Sequence, residues 1–288
     1  MRRILVLWFP FVAATFLFAL NLAPAARALP HQPPPRQAAG PDALPPDAQN
    51  VEYVTHFGGE VGAMDARGHY AYVGQGATLA VVDVSDPEAP IEINRTTPLS
   101  NQITNVVAGD GFVYVTVDCC TLHIVDVRDP ARPVEVGFFE ALGTIAYLVI
   151  DDGYAFLALS VGGSNFQIVD VTTPATPEEV GQYEILENIE GIARNETHVF
   201  ISTWSGLWVY DVTDPANAQE IGFFSSPENS LGAVAAYQNH VFVASDSGLL
   251  VIDVTYPTTP SEIGQADLFG INHIAVMENG AYLAANGY

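Results

Sequence analysis

The sequence predicts an all-β fold, a β-propeller built from four-stranded blades. A ten-residue segment, VVDVSDPEAP at residues 81–90, occurs in five similar copies whose central aspartates are 43, 44, 41 and 42 residues apart. A repeat of this length that holds four short strands is typical of propeller blades rather than of parallel solenoids, whose turns are shorter. Beyond the first 28 residues, no apolar period of 3.6 residues runs far enough to predict a helix.

Each repeat divides into four strands, as its second copy illustrates. Residues 103–109 are apolar, a DG pair marks a tight hairpin, and residues 112–117 alternate as a strand does. The third strand, 122–127, ends at RDPARP because proline fixes φ and cannot donate to a ladder. The fourth strand follows at 134–139. One such sheet leaves two apolar faces uncovered, so the blades must stack around a ring to bury them.

The two ends of the repeat region determine the number of blades that we expect. Residues 271–288 supply two strands of a sixth unit but not its aspartate motif. We therefore predict six blades with the last one incomplete, in a C-terminally truncated chain. A fragment of a seven- or eight-bladed propeller is the alternative. Residues 50–57 look like a lone fourth strand, which we expect to join the last blade and close the ring.

The central aspartate of each repeat is predicted to cap the turn after the third strand. Its carboxylate can accept backbone N–H groups in the proline-bounded segment that follows. Five equivalent residues cannot all belong to one catalytic or metal site, which favours the structural role. These turn caps are Asp83, Asp126, Asp170, Asp211 and Asp253.

The five copies also carry a family resemblance. The segments AVVDVSDP, HIVDVRDP, QIVDVTTP, WVYDVTDP and LVIDVTYP resemble the LVIVD repeat of bacterial and archaeal secreted or cell-surface proteins. The resemblance covers residues 51–288. It implies an extracellular propeller and no particular activity, because the family is known mainly as such propellers without an established common function.

The first 50 residues differ in composition from the rest and predict export. Residues 1–28 have the order of a secretory signal peptide, with two arginines, a long apolar run and small residues before the cleavage point. The apolar run is long, so an uncleaved N-terminal anchor is the alternative. Residues 29–50 are rich in proline and predict a semi-extended linker ahead of the propeller at 51–288. We expect an extracellular or cell-surface protein with no other membrane insertion.

The excess of acidic over basic residues excludes one class of binding partner. The chain has 9 basic residues, all arginine, against 33 acidic ones, a formal net charge of -24. Such a chain repels the phosphate backbone, so we expect no binding to nucleic acid. An extracellular protein or a glycan is the expected partner.

The predicted ligand site is the mouth of the central channel, where the innermost strands of a propeller converge. Equivalent positions near this mouth are Ala63, Asn105, Tyr147, Gly191, Ala233 and His273. One residue earlier stand Gly62, Thr104, Ala146, Glu190, Gly232 and Asn272. Most members of both sets are small or apolar. The candidate ligand-binding residues are Asn105, Tyr147, Glu190, Asn272 and His273, although channel water alone could account for the polar members.

The loops between the second and third strands add two further candidates. Trp204 offers an aromatic contact surface if exposed, or packs on a neighbouring blade if not. Cys119 and Cys120 are the only cysteines, and after export they form either a vicinal disulfide or two buried thiols.

Two functions remain open on the sequence alone. The first is a non-enzymatic binding or adhesion module with no cofactor. It is favoured because no Gly-x-Ser-x-Gly elbow, His-Glu-x-x-His motif, phosphate-binding loop or complete calcium loop occurs. The alternative is a hydrolase or lyase at the channel mouth, assisted by a divalent cation such as Ca²⁺. Glu190, His273, Asn105 and Asn272 would then act as cation ligands or acid–base groups.

Overall fold

The computed structural model describes residues 5–8, 61–117, 120–160, 165–227, 229–277 and 280–285. The predicted linker at 29–50 and the predicted ring-closing strand at 50–57 lie outside these residues. The first strands in chain order are β1 (Leu5–Trp8), β2 (Ala63–Arg67), β3 (Tyr70–Gln75), β4 (Thr78–Asp83), β5 (Ile91–Arg95), β6 (Ile103–Ala108), β7 (Phe112–Val117), β8 (Thr121–Asp126), β9 (Val134–Glu140), β10 (Thr144–Asp151), β11 (Tyr154–Ser160) and β12 (Asn165–Asp170). They are followed by β13 (Glu178–Glu184), β14 (Ile189–Arg194), β15 (His198–Thr203), β16 (Gly206–Asp211), a 3₁₀ turn at Pro215–Asn217, β17 (Gln219–Ser225), β18 (Leu231–Tyr237), β19 (His240–Ser245), β20 (Gly248–Asp253), β21 (Ser261–Ala266), β22 (Ile271–Met277) and β23 (Gly280–Ala285).

The strands form six successive sheets, which confirms the predicted propeller with an incomplete last blade. Strands β2–β5, β6–β9, β10–β13, β14–β17 and β18–β21 are four-stranded antiparallel sheets, called blades 1 to 5. Blade 6 consists of the β22–β23 hairpin. Strand β1, inside the predicted signal peptide, lies beside β23 where a complete blade has its third strand. It pairs with β23 in parallel, whereas the third strand of every complete blade is antiparallel to the second. Among the described residues, no helix has the length and apolar character needed to cross a membrane.

The hydrophobic core lies between the blades rather than within them. One cluster joins Phe156 and Phe166 of blade 3 to Ile201 and Tyr210 of blade 4. Similar clusters join blades 1 and 2, 2 and 3, 4 and 5, and 5 and 6. Blades 2 to 5 are each covered on both faces by a neighbour, and their middle strands are therefore apolar almost throughout, as in the run LLVID at 249–253.

A repeated glycine in the fourth strand allows successive blades to approach closely. A Cβ atom on Gly137 would overlap the carbonyl oxygen of Pro174, in the turn of the next blade, and one on Gly222 would overlap that of Pro257. In blade 1 the equivalent residue is Asn94, whose side-chain Nδ2 donates to the carbonyl oxygen of Ala131 at 2.7 Å. We call this approach of a fourth strand to the next proline turn the glycine–proline contact.

The five repeat aspartates all make the same local hydrogen bond. In each copy the carboxylate Oδ1 accepts the backbone N–H of the residue two positions later, at 2.8–3.0 Å. In four of the five copies the serine or threonine hydroxyl at that position also donates to the carboxylate, at 2.6 Å in Thr172 and 2.8 Å in Thr213. The pKa of Asp211 is held below its usual range, first by the backbone N–H of Thr213 and then by its hydroxyl. The carboxylate thus stabilises the turn in its ionised form.

Replacing Asp211 with alanine should lower the free energy of unfolding by about 1 kcal/mol at neutral pH, since two hydrogen bonds to a largely exposed carboxylate are lost. Because the pKa is lower in the folded state than in the unfolded chain, this stabilisation is present above the unfolded pKa of about 3.9 and is lost as pH falls through the folded pKa. Thermal melts of both proteins from pH 7 to pH 3 would measure the difference. Asp211→Asn, which keeps an acceptor but does not titrate, is the control. A gap between wild type and Asp211→Ala that does not shrink in acid would contradict the prediction.

Candidate functional site

A single cavity of about 660 Å³ lies where the first strands of all six blades meet. Strands β2, β6, β10, β14, β18 and β22 each contribute to its wall. All twelve positions that the sequence placed near the channel mouth line this cavity. They are Gly62, Ala63, Thr104, Asn105, Ala146, Tyr147, Glu190, Gly191, Gly232, Ala233, Asn272 and His273.

β-Bulges shape the mouth of this cavity. In blades 2 to 6, the pairing of the first strand with the second skips one residue, or two in blade 5, while blade 1 pairs without interruption. The skipped residues are Thr104, Ala146, Glu190, Gly232, Ala233 and Asn272. A bulge turns its extra residue out of the regular alternation. Two consecutive residues of the same strand, such as Asn272 and His273, can therefore both face the channel.

Asp65 is a charged wall residue that the sequence reasoning missed. Its two carboxylate oxygens accept the N–H groups of Ala66 and of Ala108 in blade 2, both at 2.8 Å. Burial raises the pKa of Asp65 in spite of these bonds. The aligned repeats could have indicated Asp65, because the equivalent residues of the other five inner strands are all valine or alanine.

His273 lies on the other side of the ring junction from Asp65. Its side chain is accessible from the mouth, yet the surrounding walls desolvate it and lower its pKa, which the charge of Asp65 partly offsets. The pKa values of the two groups move towards each other, that of Asp65 upwards and that of His273 downwards. Such a pair can donate and accept hydrogen bonds, and it attracts polar or cationic groups rather than anions.

Tyr147 and Glu190 form a second polar pair on the wall. Burial is the main reason that the pKa of Tyr147 is raised, and the nearby charge of Glu190 raises it further. The tyrosine therefore stays a neutral hydroxyl donor. Asn105 lines the cavity in the next blade, where its Oδ1 accepts the N–H of Val106 at 2.9 Å. Its amide nitrogen adds a hydrogen-bond donor to the residues of the wall.

The two loop candidates lie apart from this wall. Trp204 is 60% exposed in the turn between β15 and β16, so it does not pack under a neighbouring blade. Cys120 takes part in a disulfide bond, whereas Cys119 lies outside the described residues. Within the described ranges, no group of three or more His, Cys, Asp or Glu residues is placed to hold a metal ion.

The sheets and their common cavity define this protein as a β-propeller with an open channel mouth. A family model described as LVIVD repeat matches residues 58–97, 102–140, 143–185 and 231–267, together more than half of the chain. The chain therefore belongs to the LVIVD-repeat family, as its sequence motifs predicted. The fourth blade falls outside these matches, and its motif VYDVTDPANA carries Ala218 where the other copies have a second proline.

Comparison with solved structures supports the fold alone. The chain is similar to the computationally designed protein Ika8, with a TM-score of 0.64 and 13% identity over 79% of this chain and 68% of that one. A functionally unknown protein from Desulfotomaculum acetoxidans gives a TM-score of 0.60 and 18% identity over 73% of this chain and 69% of that one. Saccharomyces cerevisiae Sqt1 gives 0.59 and 9%, over 73% of this chain and 63% of that one. No match is found among curated proteins.

Proposed function

We propose that this protein is a secreted or cell-surface binding module that takes its ligand at the channel mouth. The observation that carries the proposal is the convergence of Asn105, Tyr147, Glu190, Asn272 and His273 on one cavity of about 660 Å³. A few polar groups on a largely apolar wall are what a concave binding site needs to fix the orientation of a ligand.

The chemistry of the wall favours a glycan or a polar segment of an extracellular protein. Tyr147 offers an aromatic face for stacking, and the amides of Asn105 and Asn272 can bond hydroxyl or amide groups. Glu190 and Asp65 disfavour anionic ligands, as does the overall charge of -24. The signal peptide and proline-rich linker expected from the sequence would present the propeller outside the cell.

A binding experiment with two matched variants tests this proposal. Wild-type protein is applied to an array of neutral oligosaccharides, and the strongest response is quantified by calorimetry. Glu190→Gln combined with Tyr147→Ala should weaken that binding by roughly 10- to 100-fold, because a charge-assisted hydrogen bond and an aromatic contact are lost. Trp204→Ala, outside the cavity, should bind as the wild type does.

Each outcome bears on one of the two functions. Equal binding by the channel variant and the wild type, or no response on the array, would count against glycan binding at the mouth. A cation-assisted hydrolase or lyase predicts instead that Ca²⁺, Mg²⁺ or Zn²⁺ raises the melting temperature of the wild type, and that Glu190→Gln removes the rise.

A further inference from the structure

A serine, a histidine and a glutamate are aligned at the junction of blades 1 and 2, away from the channel. Ser100 lies in the connection between β5 and β6, His123 on β8 and Glu135 on β9. The hydroxyl Oγ of Ser100 is 3.1 Å from Nε2 of His123. The other ring nitrogen, Nδ1, is 2.7 Å from Oε1 of Glu135.

The partners of the imidazole determine which nitrogen carries the proton. An ionised carboxylate only accepts hydrogen bonds, so Nδ1 of His123 donates to Glu135. In the neutral ring Nε2 is then an acceptor, and the hydroxyl of Ser100 donates to it. This is the arrangement in which a histidine removes the proton of a serine and a carboxylate orients the ring.

The three groups differ in their access to solvent in a way that suits this chemistry. His123 is only 5% exposed, so it is shielded from water, whereas Ser100 lies at the surface. Phe138 is 55% exposed, and its ring centroid is 6.3 Å from that of His123. A substrate could therefore reach the serine and rest an apolar group on Phe138.

In blade 3 the same three segments are joined by hydrogen bonds without a serine or a histidine. There Gln167 occupies the position of His123, and its Oε1 accepts the N–H of Leu142 in the preceding connection at 3.2 Å. Its Nε2 donates to Glu179, the equivalent of Glu135. Glutamine thus ties the connection, the third strand and the fourth strand together with no titratable side chain at the position of His123. The other equivalents of His123 are Ala80, Trp208 and Leu250.

We propose that Ser100, His123 and Glu135 form a nucleophilic site for small carboxylic esters. The Oγ–C bond to the acyl carbon forms as the serine proton passes to Nε2 of His123. The ester C–O bond then breaks, and the proton passes to the departing alcohol. Water, deprotonated by the same imidazole, then forms a C–O bond to the acyl carbon; the acyl C–Oγ bond breaks, the acid leaves, and the proton returns from Nε2 to the serine Oγ. Glu135 is a positioning residue. None of the three residues lines the channel cavity, so a test of this site is independent of a test of ligand binding in the channel.

Covalent labelling with a fluorophosphonate tests this proposal directly. The reagent forms an Oγ–P bond as the P–F bond breaks, with fluoride as the leaving group. Trypsin cleaves after Arg95 and Arg128, and Ser100 is the only serine of the peptide between them. We expect label on this peptide in the wild type and none in Ser100→Ala. Hydrolysis of p-nitrophenyl acetate should be lost together with the label.

The control for a merely structural role is His123→Gln, which copies the Gln167–Glu179 pair of blade 3. It should keep the melting temperature and lower the labelling rate by about 100-fold or more, the usual contribution of a general base. The wild-type labelling rate should rise with pH along a one-proton curve that is absent in the variant. Equal labelling of wild type and His123→Gln, or label spread over other serines, would overturn the proposal. If His123→Gln does not fold, Glu135→Gln and the wild-type pH profile decide in its place.

Discussion

Replacing Phe166 with alanine should lower the free energy of unfolding by about 3–5 kcal/mol, the usual cost of removing a buried phenylalanine. Phe166 is fully buried, and its ring lies 5.4 Å from that of Tyr210 in blade 4 and 5.7 Å from that of Tyr183 in its own blade. Phe156 stacks on it at 6.4 Å. The cavity left by the substitution would weaken both blades, because this cluster belongs to both. Tyr210 is 5% exposed, and this burial raises its pKa to about 12.

Thermal unfolding measures this loss, which should lower the melting temperature by roughly 10 °C. Phe269→Ala provides the control, since that phenylalanine is exposed in the segment between β21 and β22. It should melt within about 2 °C of the wild type, because exposed substitutions usually change stability by less than about 0.5 kcal/mol. Similar losses in the two variants would show that the inter-blade cluster does not have the role assigned to it.

Adding one methyl group at the glycine–proline contact should be the second most damaging change. Gly137→Ala and Gly222→Ala each place a Cβ atom onto a backbone carbonyl of the next blade, which cannot move without displacing its whole turn. Overpacking of this kind typically costs about 1–3 kcal/mol. We expect each variant to lose roughly 5 °C in melting temperature.

The same chain supplies a matched control in blade 5. Gly264 occupies the equivalent position, but a Cβ atom there would meet only the side chain of Val251 at 4.0 Å. In the described residues, the sheet of blade 6 carries no proline turn that could approach Gly264. Gly264→Ala should therefore leave the melting temperature unchanged or slightly higher, since alanine restricts the unfolded chain. A loss equal to that of Gly137→Ala would mean that strand geometry, not the neighbouring turn, excludes alanine.

Most of the fold could be predicted from the period and the turn residues. The strand expected at 112–117 coincides with β7, and the third, expected at 122–127, begins and ends one residue earlier in β8. The fourth, expected at 134–139, extends one residue further in β9. Local signals sufficed because proline and the DG pair end strands through their own backbone chemistry. The role of the repeated fourth-strand glycine was not visible, because it depends on a carbonyl about 35 to 40 residues away in the next blade.

A candidate site could be predicted from the sequence only where equivalent positions of the repeats come together in the fold. Aligning the units placed twelve residues on one channel wall, although the bulges that turn Glu190 and Asn272 towards it carry no local signal. Ser100, His123 and Glu135 come from three different segments of the chain. Their hydrogen bonds depend on the packing of a connection against two strands, and no motif of short spacing could have indicated them.

The glycine–proline contact has a consequence for how such chains can change size. The close form of this contact recurs at the junctions of blades 2 and 3 and of blades 4 and 5, and Asn94 reaches the same turn of the next blade by a hydrogen bond. A copy produced by duplication within the gene would meet compatible neighbours on both sides at once. Growth by whole units is thus open to this lineage, whereas gain or loss of half a unit leaves a fourth strand without its partner turn.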